Sequence, residues 1–433
     1  MLYDESLRYL LSLGHETLAM KLGLEGVRRL LALLGDPQKS YPAIQIAGTN
    51  GKGSTAAMLD AVCRAAHIRA GLYTSPHLVS ITERVRVGGV EVSREEFARA
   101  ATRVRAAAEE VGRMTGAVPT FFEQVTAAAL LVFKETGVRV AILETGLGGR
   151  LDATTAAEAG VVAITPVALD HQEHLGCTLE EIAAEKAAII WPGVAAAVIA
   201  PQEPAAAAVI LRRCRECGVE PRLVAPSDAR VEEICADGRL RVSFTTGRGT
   251  YGHVRLNLRG RHQLVNAATA VRLAEILAER GFEITPENVV AGLESAEHPG
   301  RLELREGSPA VLFDGAHNPA GARALRAYLD EFARAPVTLV FGAMRDKEVE
   351  EIGRALFPAA RRLVLTQADN ARSAPVEDLV RAIPRDTDLS TISLAPAPRD
   401  ALAIARAVTP PEGTICVTGS LYLVGEMTRL LGD

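Results

Sequence analysis

Short apolar runs alternate with amphipathic stretches along nearly all of this 433-residue chain, and that alternation restricts the fold more than any other feature. The runs include 43-AIQIAG, 70-AGLYTS, 139-RVAILETG, 160-GVVAITPVALD, 195-AAAVIA, 310-AVLFDGA, 337-VTLVFGA, 362-RLVLT and 414-TICVTGS, each read as a strand. The stretches between them read as helices. Ser93 with Glu96 and Thr178 with Glu181 have capping-box spacing, in which each side chain serves an orphan backbone donor. Such alternation predicts an α/β fold with a mostly parallel sheet covered by helices on both faces. From about Glu220 to Gly260 the pattern is short and strand-like without a helix, so a small antiparallel sheet is expected there, attached to the first unit. The length exceeds one ordinary core, and Pro299 and Gly300 in 297-EHPGR-301 stop a helix before a fresh series of strand–helix units. The expected division is 1–297 and 298–433, the second unit being the smaller.

Composition narrows the class. Hydrophobic residues at 48% and charged residues at 23% are the balance of a soluble globular protein, and a net charge of -5 gives no reason to expect a nucleic-acid partner. No apolar run is long enough for a bilayer and Met1 is not followed by a signal-like segment, so the expectation is a cytoplasmic protein without a membrane partner. Six cysteines are scattered, and Cys214 and Cys217 form a CxxC that no second pair or histidine set completes; they read as reduced structural thiols.

The residues just past each strand carry the chemistry, because ligands of open parallel sheets gather at the carboxyl ends of the strands. The stretch 47-AGTNGKGST-55 follows a strand and opens a helix read from Ser54. It departs from the Walker pattern twice, with Ile46 where a glycine is required and Gly53 between Lys52 and Ser54. Its glycines Gly48, Gly51 and Gly53 permit close backbone approach to a phosphate, and Lys52 adds a charge. A glycine turn beside a surface lysine is the plain alternative. Nucleoside triphosphates bring Mg2+, and Ser75, Glu144 and His171 at neighbouring strand ends could supply its few protein ligands. Taken singly they read as a turn residue, a solvated strand end and a hydrogen-bonded histidine. Lys186, in 178-TLEEIAAEKAAII-190, reads from composition alone as part of a solvated helix face.

Together these motifs resemble those of the folylpolyglutamate synthases and bifunctional dihydrofolate synthases of the Mur ligase superfamily. The resemblance runs from 21-KLGLEGVRRLLALLG-35 to 419-GSLYLVGE-426. Between them come GTNGKGS, TSPHL, TERVRV, FFE at 121–123, LETGLGGRLDAT, ALDHQEHLG, EKAAI, HQLVNAA, PGRLE and DGAHNP, in that order. It implies an N-terminal ATPase domain with a Mur-type phosphate loop and a smaller C-terminal α/β domain, the site lying in a cleft that closes between them. The implied reaction joins the amino group of L-glutamate to the carboxylate of dihydropteroate or a reduced folate at the expense of ATP, through an acyl phosphate. Thr49, Asn50, Gly51, Lys52, Gly53 and Ser54 would hold the phosphates, with Asn266, Arg301 and Asp314 on the nucleotide from across the cleft. Ser75, Glu144 and His171 would hold Mg2+, and Lys186 matches a lysine that is carboxylated by CO2 in the family. A monovalent cation is a further element. His317, Lys347 and Ser420 would meet the incoming glutamate, with Lys52, His171, Lys186 and His317 as the catalytic group. Thr120, Phe121, Phe122, Glu123, Arg150, Leu151, Asp152 and Ala153 would build the pterin pocket. Arg150 within GLGGRLDAT favours dihydropteroate acceptance over polyglutamate extension alone. Two departures stand out: Thr155, where the family usually has Asn, and 186-KAAI-189 in place of KAGI. A monomer acting on small molecules is expected. A P-loop kinase and a non-catalytic nucleotide-binding regulator are the competing readings, and the DGAHNP motif and the intact charged residues speak against them.

Overall fold

The computed structural model describes residues 1–14, 23–235, 237–384 and 387–432. Lys21 and Leu22, with which the family resemblance begins, lie outside the described residues. Eight strands form the first sheet: β1 (Ala43–Ala47), β2 (Ala70–Tyr73), β3 (Val85–Val87), β4 (Val90–Glu91), β5 (Val140–Glu144), β6 (Val161–Ile164), β7 (Ala196–Ile199) and β8 (Pro221–Leu223). Their order is β4-β3-β2-β5-β1-β6-β7-β8, parallel from β2 to β8, with the β3–β4 hairpin antiparallel at one edge. Three antiparallel strands, β9 (Ala229–Ile234), β10 (Leu240–Thr246) and β11 (Gly249–Arg255), form a small sheet. The third sheet holds β12 (Glu303–Arg305), β13 (Ala310–Phe313), β14 (Val337–Phe341), β15 (Arg362–Thr366), β16 (Ile392–Ala395) and β17 (Thr414–Thr418), ordered β12-β13-β17-β14-β15-β16. All its pairs are parallel except β12–β13.

The nine predicted strands are all present, because each lies inside a sheet and is buried on both faces, as β1, β5, β14 and β17 are at every position. The capping boxes also form. Glu96 N–H donates to Ser93 Oγ at 3.1 Å, and Glu181 N–H to Thr178 Oγ1 at 3.2 Å.

The expected antiparallel region needs correction. Pro221–Leu223 pairs in parallel with β7 and closes the large sheet, so the small sheet begins only at Ala229. The stretch reads correctly as strand-like, but a three-residue edge strand with proline at its first position and an exposed Leu223 carries no pattern that says which sheet it joins. The helix after the phosphate loop starts at Lys52, two residues earlier than read, because Gly51 at φ 89° supplies the left-handed turn that launches it. The CxxC sits in the helix Pro204–Cys217 with both thiols buried, and Cys217 Sγ donates to the Ile190 carbonyl.

The phosphate-loop helix, Lys52–Ala65, is buried along most of its length. Its Met58, Leu59 and Val62 pack among Ala270, Val271 and Leu293. The helix Pro286–Ser295 comes so close that a Cβ on Gly292 would stand 2.5 Å from the Val62 Cα. That packing fixes the helix whose first turn faces the cleft. Among the described residues no helix is long and apolar enough to cross a membrane.

Candidate active site

The phosphate loop is held from outside. Thr49 and Asn50 N–H groups both donate to the Pro166 carbonyl, at 3.0 and 3.2 Å, while Thr49 Oγ1 exchanges hydrogen bonds with Ala168. Thr49 therefore anchors the loop to the segment after β6 rather than offering its polar groups to a phosphate. The amides at the start of the helix, from Lys52 onward, keep the helix N-terminal orientation that attracts anions. Lys52 Nζ curls back onto the carbonyls of Gly48 (3.1 Å) and Thr49 (3.3 Å). The glycines are required by neighbours. A Cβ on Gly51 would lie 2.1 Å from Asn266 Oδ1, and one on Gly53 would lie 2.7 Å from His298 Nε2 and 3.2 Å from Glu144 Oε2. Asn266 Nδ2 donates to Gln263 Oε1, and Gln263 Nε2 to Ser54 Oγ at 3.3 Å, so one buried amide relay ties the helix Gln263–Glu279 to the loop.

Glu144, at the end of β5, is buried, and its Oε2 accepts the Ser75 N–H at 3.2 Å. Burial raises its pKa against the opposing charges of Lys52, Arg301 and Arg84. It opens with Ser75, His298 and Arg301 onto a polar cavity of about 220 Å3. Asp314 uses both oxygens to bind backbone, accepting from Leu302 N–H (3.0 Å) and Ala316 N–H (2.9 Å), and burial raises its pKa. It thus braces the segment that carries Arg301.

The two large sheets meet through Asp170. Lys347 Nζ donates to Asp170 Oδ1 at 2.6 Å and Asn318 Nδ2 to Oδ2 at 3.0 Å, while His317 Nε2 stands 3.5 Å from Oδ2. Asn318 also exchanges hydrogen bonds with Asn50. Burial opposes ionisation of Asp170, but the hydrogen bond and charge of His317, with His171 and Lys347, hold it well below the usual carboxylate range. Burial pulls the neighbouring His171 down to about 3, so its imidazole is neutral. His317 Nδ1–H donates to the Gly315 carbonyl at 2.8 Å, which turns Nε2 to Asp170. Lys186 is fully buried beneath the loop, with Nζ 2.9 Å from the Gly48 carbonyl, and burial together with the Lys52 charge lowers it to about 7. Ala188, the departure from KAGI, has φ -65°, a conformation in which alanine is comfortable.

A cavity of about 250 Å3 adjoins this cluster, walled by the turn Gly146–Ala153, by Thr120, Phe122 and Glu123, and by Met344, Ser420 and Tyr422 from the other sheet. Phe121 does not face it. It packs in the core with the Arg84 guanidinium 5.6 Å from its ring centre, because successive residues of a first helical turn point to different faces. Thr120 and Glu123 cap the helix Phe121–Glu135 reciprocally, at 3.3 and 2.7 Å. Asp152 accepts from Leu147 N–H (2.9 Å) and Thr154 N–H (3.0 Å), and Thr155 bridges Gln45 and the Gly149 carbonyl. Arg150 reaches outward to Glu185, with Leu151 exposed beside it. Ser420 Oγ caps the last helix by accepting Leu423 N–H at 3.1 Å. Among the described residues no group of three or more His, Cys, Asp or Glu side chains forms a metal cage. His171 lines one cavity and Glu144 the other, and Ser75 lines both.

The Mur ligase middle domain profile matches residues 46–274, and the profile of the Mur ligase glutamate ligase domain matches 300–421. The dihydrofolate synthase/folylpolyglutamate synthase of Bacillus subtilis is 33% identical over 421 residues, which cover 96% of this chain and 97% of that one. The chain belongs to the dihydrofolate synthase/folylpolyglutamate synthase family of Mur ligases. A probable bifunctional folylpolyglutamate synthase/dihydropteroate synthase of Haloferax volcanii is 38% identical over 98% of this chain, which spans only 50% of that longer protein. Among solved structures, Mycobacterium tuberculosis folylpolyglutamate synthase complexed with ADP superposes with a TM-score of 0.92 at 32% identity, covering 100% of this chain and 98% of that one. Escherichia coli FolC in complex with DHPP and ADP gives 0.87 at 31% identity, over 100% and 98%.

Within this Mur ligase frame, sequence reasoning missed several residues that the fold brings to the site. Gln263 stands in the quoted HQLVNAA, and its link to Ser54 spans 209 positions. His298 lies in the quoted EHPGR and meets Gly53; Asp170 adjoins His171 and joins the sheets; Arg372 enters both cavities around the cluster. Only Asp170 carried a signal, as an acidic residue at a strand end.

Proposed function

We propose that this chain is an ATP-dependent ligase that joins the amino group of L-glutamate to the carboxylate of 7,8-dihydropteroate and of reduced folates. The observation that carries this reading is the Asp170 cluster. It sets Lys347, His317 and Asn318 of the third sheet against the loop Gly48–Ser54 and the buried Lys186 of the first, beside a cavity with aromatic walls. A phosphate site alone would need no such second wall.

In the proposed sequence a substrate carboxylate oxygen attacks the γ-phosphorus of ATP and ADP leaves. The glutamate amine then attacks the acyl carbon and loses a proton as inorganic phosphate departs. A carboxylate is a poor electrophile, and phosphorylation supplies its leaving group. Lys52 and the helix N-terminus bear on the charge that builds during transfer. Glu144, a buried carboxylate whose one partner is the Ser75 N–H, fits Mg2+, with the Ser75 hydroxyl and the neutral imidazole of His171 as further ligands. The small number of hard protein ligands suits an ion that keeps waters and substrate phosphates, and when bound it neutralises phosphate charge. Lys186 at about 7 is available as a neutral amine, which supports its carboxylation. A monovalent cation is a further part of the proposal, checked by the dependence of turnover on K+. The boundary at 297/298, a cleft that closes on substrates and a monomeric state complete the reading.

The test is incubation with Mg-ATP, L-glutamate and either 7,8-dihydropteroate or tetrahydrofolate, following ADP release and product mass. Turnover with both acceptors is expected, with Lys52→Ala abolishing it. Turnover with tetrahydrofolate alone would make this a dedicated polyglutamate extender. ADP release without glutamate dependence would overturn the ligase reading.

A further inference from the structure

A Walker loop carries Ser or Thr directly after its lysine, and that hydroxyl binds Mg2+. Here Gly53 follows Lys52 and offers no side chain. The space beside it is taken by another residue. A Cβ on Gly53 would stand 2.7 Å from His298 Nε2, 3.0 Å from its Cε1 and 3.2 Å from Glu144 Oε2. An imidazole from a distant segment thus fills the place of the hydroxyl. His298 lines the polar cavity of about 220 Å3 together with Glu144, Ser75 and Arg301. Among the described residues neither ring nitrogen of His298 has a hydrogen-bond partner. The Ser75 hydroxyl and Glu144 Oε1 are likewise unengaged, and Glu144 Oε2 takes only the Ser75 N–H at 3.2 Å. His171, by contrast, opens onto the other cavity.

We infer that His298 is a ligand of the divalent cation at Glu144 and Ser75, standing in for the missing Walker hydroxyl and giving the site a nitrogen donor. This rests on the Mg2+ reading above. Three free donor atoms share one polar cavity: a carboxylate oxygen, a hydroxyl and an imidazole nitrogen. His298 Nε2 and Glu144 Oε2 both lie within 3.2 Å of one point, close enough for a single ion to engage the two side chains. Oxygen donors alone suit Mg2+, whereas an imidazole moves the preference toward first-row transition ions, which take nitrogen more readily. Mn2+ therefore competes for this site better than oxygen ligands alone would allow. The ligands also come from both sides of the proposed boundary. Ser75 and Glu144 end strands of the first sheet, while His298 follows the helix Pro286–Ser295 and lies three residues before Arg301. An ion held by all three would tie the segment that carries Arg301 to the first sheet.

Mn2+ is titrated with ADP into the unaltered chain, His298→Gln, His171→Gln and Glu144→Gln. Free Mn2+ is read by electron paramagnetic resonance, and Mg2+ affinity by competition. In protein carrying 15N-histidine, pulsed measurements on the bound Mn2+ detect a directly bonded ring nitrogen. The expected result for His298→Gln is a Mn2+ affinity lower by roughly 10-fold or more, with a smaller loss for Mg2+. The 15N coupling is expected to persist in His171→Gln and to vanish when His298→Gln is added. No coupling in His171→Gln, or a coupling that His298→Gln leaves in place there, overturns the assignment while keeping the ion at Glu144. Equal losses for Mn2+ and Mg2+ overturn the nitrogen donor as well. Thermal unfolding without nucleotide checks the fold; if His298→Gln fails it, the coupling in His171→Gln decides alone. If Glu144→Gln binds Mn2+ as tightly as the unaltered chain, or if no Mn2+ binds with ADP, the ion reading itself fails and His298 falls with it.

Discussion

The turn from Gly146 to Thr155 and the cluster around Asp170 face the same cavity and are both rich in polar residues, yet they use them in opposite ways. In the turn, polar groups close on each other or on residues around the first sheet: Asp152 on Leu147 and Thr154, Thr155 on Gly149 and Gln45, Arg150 on Glu185. In the cluster, Asp170 gathers Lys347, Asn318 and His317 from positions 147 to 177 residues away and so connects two sheets. The first arrangement makes a shape. The second makes charges whose places depend on both halves of the molecule, which is what a reaction between two bound substrates requires.

The sharpest way to break this contrast is Asp170→Ala. The substitution takes away the 2.6 Å partner of the buried Lys347 ammonium and leaves it only Asp346 at 3.9 Å, so the loss is expected to approach the about 3–5 kcal/mol of a buried charge whose partner is removed. Chemical denaturation is expected to register that loss, and glutamate-dependent ADP release to disappear. A stable, active variant would show that the two sheets are coupled elsewhere.

How far the sequence revealed each region follows from where its partners lie. Strands flanked on both sides were legible, since burial on both faces demands continuous apolar residues. The edge strands β4, β12 and β16, and the short β3 beside β4, left little trace, having two to four residues and partly exposed faces, while β8 lies in a stretch that reads as strand-like but was expected in the small sheet, not the large one. Strand-end residues such as Glu144 and His171 could be picked out because parallel topology makes strand ends converge. What they touch could not, for Gln263 with Ser54 and Lys347 with Asp170 are pairings across 209 and 177 positions. Nor could FFE announce that Phe122 faces the cavity while Phe121 enters the core, a matter of helical phase fixed only by packing.

Asp152→Ala tests the turn as a shape. Two backbone amides and the Thr154 hydroxyl lose their acceptor, at about 1–3 kcal/mol for buried groups left unsatisfied. The KM for the pterin substrate is expected to rise severalfold while that for glutamate stays, measured under steady-state conditions. A rise in both would mean that the turn also positions the cluster, and the contrast would fail.

Lys186 lies between the two regions and answers to pH. Its folded-state pKa of about 7 is below the ordinary lysine value, so the amine is protonated below that pH and neutral above it. Carbamate formation needs the neutral form. With 13C-bicarbonate, a carbamate signal is expected to grow as pH rises from about 6 to about 8, and to be absent from Lys186→Met. A signal independent of pH, or equal in the variant, would remove carboxylated Lys186 from the site.

The smallest effect is expected at Arg150, and it bears on the substrate range. Its side chain is 61% exposed and paired with Glu185, so Arg150→Ala should change stability by less than about 1 kcal/mol, as exposed ion pairs do. If the guanidinium serves dihydropteroate, the variant loses turnover with that acceptor more than with tetrahydrofolate. If it serves only to hold Glu185 and the helix Leu179–Ala187 against the turn, both acceptors lose equally little and Glu185→Gln reproduces the effect. The Arg150 N–H already donates to the Glu185 carbonyl at 3.0 Å, so the backbone contact survives either substitution and the side chain alone is read. An acceptor-dependent loss would therefore make Arg150 the one residue of the turn that acts by charge rather than by shape.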